Sequence, residues 1–308
     1  MSGASAPVNW TPMIIAFLAG FISRLLYLRS GRSHNPGYPS GYMIQIALGV
    51  IAAMIGSSVI VSLIGKEFTA ATFLTLAATQ FFNVRSNERK TLEQEESLIL
   101  VGRGAGYIEG ISITYEARNF LAMLIALATS IVAELNLWVG IAGGIAFIIF
   151  GEMYMSGPRL GQLVDVEITE LRYEKGTLLY VGPVMLMEVG LADSRERYRK
   201  EGVGVLLKPR DARGEAVLWN VAQRQAIAHL AAAAVGVQKD VGYPEQGVIC
   251  RMNMPAGLGQ AGLAIIPVER DTEKLVRAIR NVPVLESSKW SRVRNTKKQQ
   301  KRKGEAHG

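Results

Sequence analysis

The 308-residue sequence has one cysteine, Cys250, and only three histidines, His34, His229 and His307, which stand far apart. A lone cysteine excludes an intramolecular disulfide and a Cys-rich metal centre, and scattered histidines argue against a His cluster. No metal and no cofactor is expected. Aromatic residues make up 7% of the chain and charged residues 19%, against 49% hydrophobic residues, and the mean hydropathy is above zero. That balance excludes a disordered chain and a nucleic-acid-binding chain that is basic throughout. The formal net charge of +8 has a local origin. Lys289, Arg292, Arg294, Lys297, Lys298, Lys301, Arg302 and Lys303 fall in one stretch without an acidic residue, and apart from these eight the chain balances at 26 basic and 26 acidic residues.

What the sequence does have is long charge-poor runs, all before residue 155. Crossing about 30 Å of hydrocarbon takes roughly 20 helical residues. Met43 to Ile64 has 22 residues without a charge and carries Gly49, Ala53, Gly56 and Ser57, small residues suited to close helix contact. Pro12 to Leu28 has one charge, Arg24, near its C-terminal end, where a long side chain can snorkel to the headgroups; Trp10 marks the other boundary. Phe68 to Val84 is short, with 17 uncharged residues between Lys66-Glu67 and Arg85. It spans if the bilayer thins or the helix stands upright. Asn119 to Gly151 has one charge, Glu134, in 33 residues. One straight helix of that length would run to about 50 Å, so the segment is expected to fold back at Glu134-Leu135-Asn136, as two short spans or as a re-entrant hairpin.

Lys and Arg near the span ends set the expected orientation. Arg24, Arg29, Arg32, Arg85, Arg89, Lys90, Arg103 and Arg118 collect on one side and only Lys66 on the other. The reading is a multi-pass cell-membrane protein with its N-terminus outside and everything after Pro158 cytoplasmic. Pro12 to Leu28 lacks a basic segment before it and has the basic residues after it, the pattern of an N-out anchor rather than a cleaved signal peptide.

From about Leu160 the periodicity changes. Val164 to Ile168 alternates apolar and acidic residues, Glu174-Lys-Gly-Thr177 signals a turn, and Leu178 to Val181, Val184 to Val189 and Val203 to Leu207 are short apolar runs. Asp193-Ser194 caps a charged helix over Arg195 to Glu201. Glu215 to Val235 reads as one long helix stopped by Gly236, with Leu218, Val221, Ala222, Ala226 and Leu230 on its inner stripe. Val248 to Met252 and Leu263 to Val268 read as strands, and Asp271 to Asn281 as a helix. The fold class expected is an α-helical integral membrane domain of about five spans (near 12–28, 43–64, 68–84, 119–133 and 137–152) over residues 1–158. A cytoplasmic mixed α+β domain over 159–286 follows, then a basic disordered tail over 287–308.

Four motifs carry chemistry or resemble it. Gly257-Leu-Gly-Gln-Ala-Gly262 matches the dinucleotide pattern G-x-G-x-x-G, but a strand, Leu-Ala-Ile-Ile-Pro-Val, follows where a helix is required, so a connection between strands is the better reading. The spans hold no H-E-x-x-H, no carboxylate in each of two spans, and no histidine to act as base for Ser57; a Ser-Lys arrangement would have only Lys66. Glu134 and Glu152 stand at the ends of the last hairpin, as interfacial residues or, alternatively, on an ion pathway. His229 and Cys250 read as packed residues. The fourth is the cytoplasmic loop expected over Arg85 to Arg118. Its second half, Gly102 to Ile113, mixes glycine and apolar residues with Arg103, Tyr107 and Glu109. It is either a linker approaching the fourth span or a segment that packs on the membrane domain and offers Arg103, Tyr107, Ile108, Glu109 and Gly110 to a ligand or partner.

The string Tyr107-Ile-Glu-Gly-Ile-Ser112 resembles the signature of the YIEGIA family of multi-spanning membrane proteins from endospore-forming bacteria, with Ser112 for alanine. Pro267 to Glu286 is similar to the family's C-terminal region, and the resemblance runs from the first span to about Glu286. It implies a membrane protein tied to sporulation that works with a small protein partner, and it assigns no catalytic residue. The leading expectation is therefore a regulatory or scaffolding membrane protein that docks a partner through its cytoplasmic domain and YIEG loop. The alternative is a membrane-associated protease or other hydrolase with Glu109 or Glu116 as acid or base. The basic tail is expected to meet anionic lipid headgroups, each basic residue contributing about 1 kcal/mol, and no nucleic acid is expected.

Overall fold

The structure, a computed structural model, describes residues 10–30, 39–65, 72, 75, 79, 83–96, 101–155, 157–238, 248–253 and 258–289. By packing, the chain divides into a helical unit, within residues 1–90 and 111–156, and a sheet-bearing unit, within 91–110 and 157–308.

The helical unit contains α1 (Trp10–Ser30), α2 (Pro39–Ile64), most of α4 (Ala105–Leu135) and α5 (Leu137–Met155), and these four helices are long and apolar enough to cross a membrane. The span expected over 68–84 lies outside the described residues, apart from isolated positions. α1 packs against α2 and α5. The packing is close because small residues face each other: Ala16, Ala52, Ala53, Ala122 and Ala126 are buried, while Ile14, Leu18, Ile44, Met54 and Phe150 point outward. A Cβ added to Gly56 would stand 2.2 Å from the carbonyl oxygen of Met123, so that crossing admits nothing larger than glycine. The expected reversal is found at Asn136, whose side-chain oxygen accepts the backbone N–H of Trp138 (3.0 Å) and of Val139 (3.2 Å) and so caps α5.

The region expected to be a loop over 85–118 is mostly helical. Val84–Glu96 forms α3, and α4 begins at Ala105 rather than near Asn119, reaching 31 residues or about 46 Å. Glycines 102, 104, 106 and 110 obscure the helix in the sequence, since glycine weakens helix propensity by roughly 1 kcal/mol per residue. Tertiary packing overrides that cost.

The sheet-bearing unit holds two antiparallel sheets. The first has strand order β1 (Val164–Thr169), β5 (Val203–Pro209), β7 (Ala261–Ile265), β6 (Val248–Met252); the second joins β2 (Leu171–Glu174), β3 (Leu178–Val181) and β4 (Val184–Glu188). Leu179, Val181, Val184 and Leu186 of the second sheet pack with Leu206, Ile249 and Ala264 of the first, with Ile266 just after β7, and with Tyr198 of α6 (Ala192–Glu201), in one core. All five residues of β7 are buried, which is why it shows a continuous apolar run rather than alternation. Gly262 belongs to this strand, and a Cβ there would lie 3.1 Å from that of Val184. The last glycine of the G-x-G-x-x-G string thus serves sheet packing and no helix follows it.

Two boundaries differ from expectation. The helix expected over 215–235 is two helices, α7 (Ala212–Trp219) and α8 (Val221–Val235), because Asn220 adopts an extended backbone and its side chain accepts the N–H of Gln223 (3.2 Å). Arg224 donates to the carbonyls of Leu218 (2.7 Å) and Trp219 (2.8 Å), closing the end of α7 with a positive charge. Residues 287–289, expected to open the tail, are ordered: after α9 (Thr272–Arg280), Glu286–Lys289 forms α10 and Ser288 is fully buried. Its hydroxyl donates to the Leu285 carbonyl (2.6 Å), a short-range pairing that no charge pattern reveals. Of the basic tail residues only Lys289 is among the described ones.

Candidate functional site

The signature residues form the first turns of α4. The approach to them is set by Glu96 at the end of α3, whose carboxylate accepts the backbone N–H groups of Arg103 (2.9 Å) and Gly104 (2.7 Å), while the Arg103 guanidinium pairs with Glu95 (3.3 Å). Gly104 has a φ of +77°, a conformation L side chains rarely adopt, and its carbonyl accepts the N–H of Tyr107 (3.0 Å) and Ile108 (3.1 Å) to open the helix.

Tyr107 and Ile108 are then turned inward, at 1% and 2% exposure. The Tyr107 ring lies 6.0 Å from that of His229 on α8, tilted by 57°. His229 Nδ1 is 2.9 Å from the Val101 carbonyl; an oxygen there only accepts, so Nδ1 carries the hydrogen. Burial holds the His229 imidazole below its ordinary pKa of 6.5. Gly106 faces Ala222 of α8, with 3.0 Å available to an added Cβ, and Gly110 is buried with 3.3 Å to Leu285. Leu285 is fixed in turn by Gln223, a fully buried residue of α8. The Gln223 amide nitrogen donates to the Pro283 carbonyl (3.1 Å), and its oxygen accepts from the Leu285 N–H (2.8 Å) and shares, at 3.3 Å, the single Ser288 hydroxyl hydrogen that lies closer to the Leu285 carbonyl. The chain thus closes a clasp: signature turn, Leu285, Gln223, Ser288.

Of the residues singled out in the sequence, Arg103, Tyr107, Ile108 and Gly110 are brought together as packing elements, and Glu109 is half-buried beside them. Glu116 lies seven residues further along α4, about 10 Å by helical rise, and pairs with Arg85 (3.8 Å). The two carboxylates do not form an acid and base pair on that spacing. Among the described residues no group of three His, Cys, Asp or Glu side chains is placed to hold a metal ion. Burial pushes the Cys250 thiol up to about 12, against a weaker opposite pull from Arg224, so it is not a nucleophile at neutral pH.

Sequence reading missed a second cluster, inside the helical unit. Arg24 does not snorkel outward. It is fully buried, its Nε donates to the Asn119 side-chain oxygen (2.9 Å), and its Nη2 donates to Gln45, whose amide nitrogen donates to Glu88 (2.8 Å). Arg118, Asn119, Gln45, Tyr27 and Tyr115 are buried with it. The available signal was the charge in an otherwise uncharged run; its inward direction depends on a partner 95 residues away.

The fold therefore defines a class: among the described residues, four helices long and apolar enough to cross a membrane, together with a two-sheet α/β unit in which the signature turn packs. The chain belongs to the YIEGIA family, whose model, described as "YIEGIA protein", matches residues 12–295. It is 37% identical over 278 residues to "Uncharacterized protein YphB" of Bacillus subtilis (strain 168), covering 90% of this chain and 93% of that protein. No solved structure matches it.

Proposed function

We propose that this chain is an integral membrane protein with a regulatory or scaffolding role in sporulation, which docks a small partner protein through its sheet-bearing unit and the YIEG turn. The link to sporulation rests on the family resemblance. The observation that supports the rest is the use made of the signature: Tyr107, Ile108 and Gly110 are spent on packing against α8 and Leu285, which leaves the half-buried Glu109 as the signature residue offered to a partner. A hydrolase reading would need a polarised nucleophile beside a base, whereas the signature contains one ionising carboxylate, Glu109, and the second candidate, Glu116, is engaged by Arg85. With the excess of Lys and Arg on one side of the spans, this unit faces the cytoplasm.

Crosslink-stabilised purification from sporulating cells, comparing wild type with Glu109→Gln at matched membrane abundance, tests the reading by mass spectrometry. A partner recovered near equal stoichiometry with wild type and lost with the variant is the expected result. No stable partner with wild type, together with an uncleaved protein trapped by the variant, would reverse the assignment in favour of a hydrolase.

A further inference from the structure

The buried cluster in the helical unit has more hydrogen-bond donors than its surroundings satisfy. Arg24 Nη1, Arg118 Nε and Nη1, and Asn119 Nδ2 are buried donor atoms without a hydrogen-bond partner, and the Tyr27 hydroxyl is in the same condition. The two guanidiniums are both buried, and Asn119, which accepts from Arg24, is the chain neighbour of Arg118. Leaving a buried donor unmet is costly, more so for a charged one. Two carboxylates border the cluster: Glu88, which accepts from Gln45 (2.8 Å), and Glu152, near Arg118 and Tyr27, whose buried Oε2 is one acceptor to set against the five orphaned donor atoms. Neither forms an ion pair within 4 Å of Arg24.

Two glycines make room for this arrangement. A Cβ on Gly49 of α2 would stand 2.5 Å from Arg24 Cγ, and one on Gly151 of α5 would stand 2.5 Å from the Tyr27 hydroxyl. The polar side chains are therefore accommodated by the packing of the helices rather than folded in for want of space outside.

The depth of the cluster is readable from the α4–α5 hairpin. Arg118 lies 18 residues before Asn136 and Glu152 lies 16 after it. At 1.5 Å per residue both are about 25 Å from the turn, close to the roughly 30 Å hydrocarbon thickness. With the turn at one interface, the cluster stands at headgroup level at the other, the end that carries the excess of Lys and Arg.

We propose that Arg24, Arg118, Asn119 and Tyr27 form a binding site for a phosphate oxyanion, supplied by the headgroup of an anionic lipid. A tetrahedral phosphate offers several acceptor oxygens, and a guanidinium meets two of them with parallel N–H groups. One phosphate accepts from both arginines, the Asn119 amide and the Tyr27 hydroxyl.

The full chain in neutral detergent is titrated with dioctanoyl-phosphatidylglycerol, dioctanoyl-phosphatidylcholine and inorganic phosphate at constant ionic strength, and affinity is read from the rise in Tm. Phosphatidylglycerol is expected to stabilise the protein and phosphatidylcholine not. Arg118→Gln is expected to weaken phosphatidylglycerol at least about tenfold, and Tyr27→Phe, which removes one hydroxyl and keeps the ring, less. Inorganic phosphate matching the lipid, with the same loss in the variants, keeps the oxyanion site and moves its source to free phosphate. Tail binding would survive both substitutions. The proposal is overturned if neither ligand stabilises wild type, or if the response is unchanged in Arg118→Gln. Should Arg118→Gln not purify as a folded protein, an unchanged response in Tyr27→Phe overturns it.

Discussion

In the helical unit the buried positions are alanines and glycines with a few polar side chains, and the large apolar residues Ile14, Leu18, Ile44 and Met54 face outward. In the sheet-bearing unit the arrangement is reversed: Leu179, Leu186, Leu207, Leu218 and Ile279 are inside, and the charged residues of α6 lie largely on the surface. The difference matches what lipid and water each reward. In water, burying a Leu or Val side chain contributes about 1.5–3 kcal/mol. In lipid that driving force between helices vanishes, and close backbone approach and hydrogen bonds hold the helices together. One chain therefore uses two kinds of core, and a substitution that harms one is tolerated by the other.

The comparison can be broken from either side. Removing atoms should cost most in the sheet-bearing unit: Leu186→Ala is expected to destabilise it by about 2–5 kcal/mol, read as earlier exchange of the β5 and β7 amides in the full chain. Adding atoms should cost most in the helical unit. Gly56→Leu, placed where even a Cβ meets the Met123 carbonyl at 2.2 Å, is expected to cost about 1–3 kcal/mol or more, measured as a lower Tm in detergent. Equal tolerance of that change and of the same change at an outward position would mean that α2 and α4 are not packed as described. Asn220→Ala removes the cap of α8 and is expected to cost about 1 kcal/mol, measured by urea unfolding followed at Trp219.

The smallest effect concerns acidity. His229 is held below its ordinary 6.5 by burial, so it binds a proton more readily when unfolded. Its contribution is fully present above pH 6.5 and is lost as pH falls from there through its folded value. His229→Gln should flatten that part of the stability profile of the sheet-bearing unit; an unchanged profile would mean that other groups set it.

The two cores also decide what was legible in the sequence. Strands β1, β3, β4 and β5 follow from short apolar or alternating runs, because one sheet face packs on the other sheet and the pattern is local. The hairpin at Asn136 follows from the length of the apolar run and a polar residue at its centre. The start of α4 did not, since its glycines suit close packing on Ala222 and Leu285, residues far away in sequence. The split between α7 and α8 turned on a single asparagine whose helical and capping uses look alike in a string of letters. At the candidate site, Glu109 and Tyr107 stood out by type, but that Tyr107 is a packing residue depends on His229, 122 positions later. Arg24 was visible as a charge and not as a buried one, because its partners come from α2 and α4.

Gln223 imposes an order of events on synthesis. Among the described residues its side chain is satisfied by Pro283, Leu285 and Ser288, and Leu285 also packs on Gly110. The ribosome has delivered the apolar helices and most of both sheets well before it releases Ser288, and the central strand β7 is itself among the last pieces made. The turn at Tyr107 therefore waits, as a nascent chain, for a segment some 175 residues downstream before it reaches its final packing. A ribosome stalled or a chain cut shortly before Leu285 leaves α8 with an unmet buried amide and the signature turn uncovered, a state that quality-control proteases recognise by its exposed apolar surface.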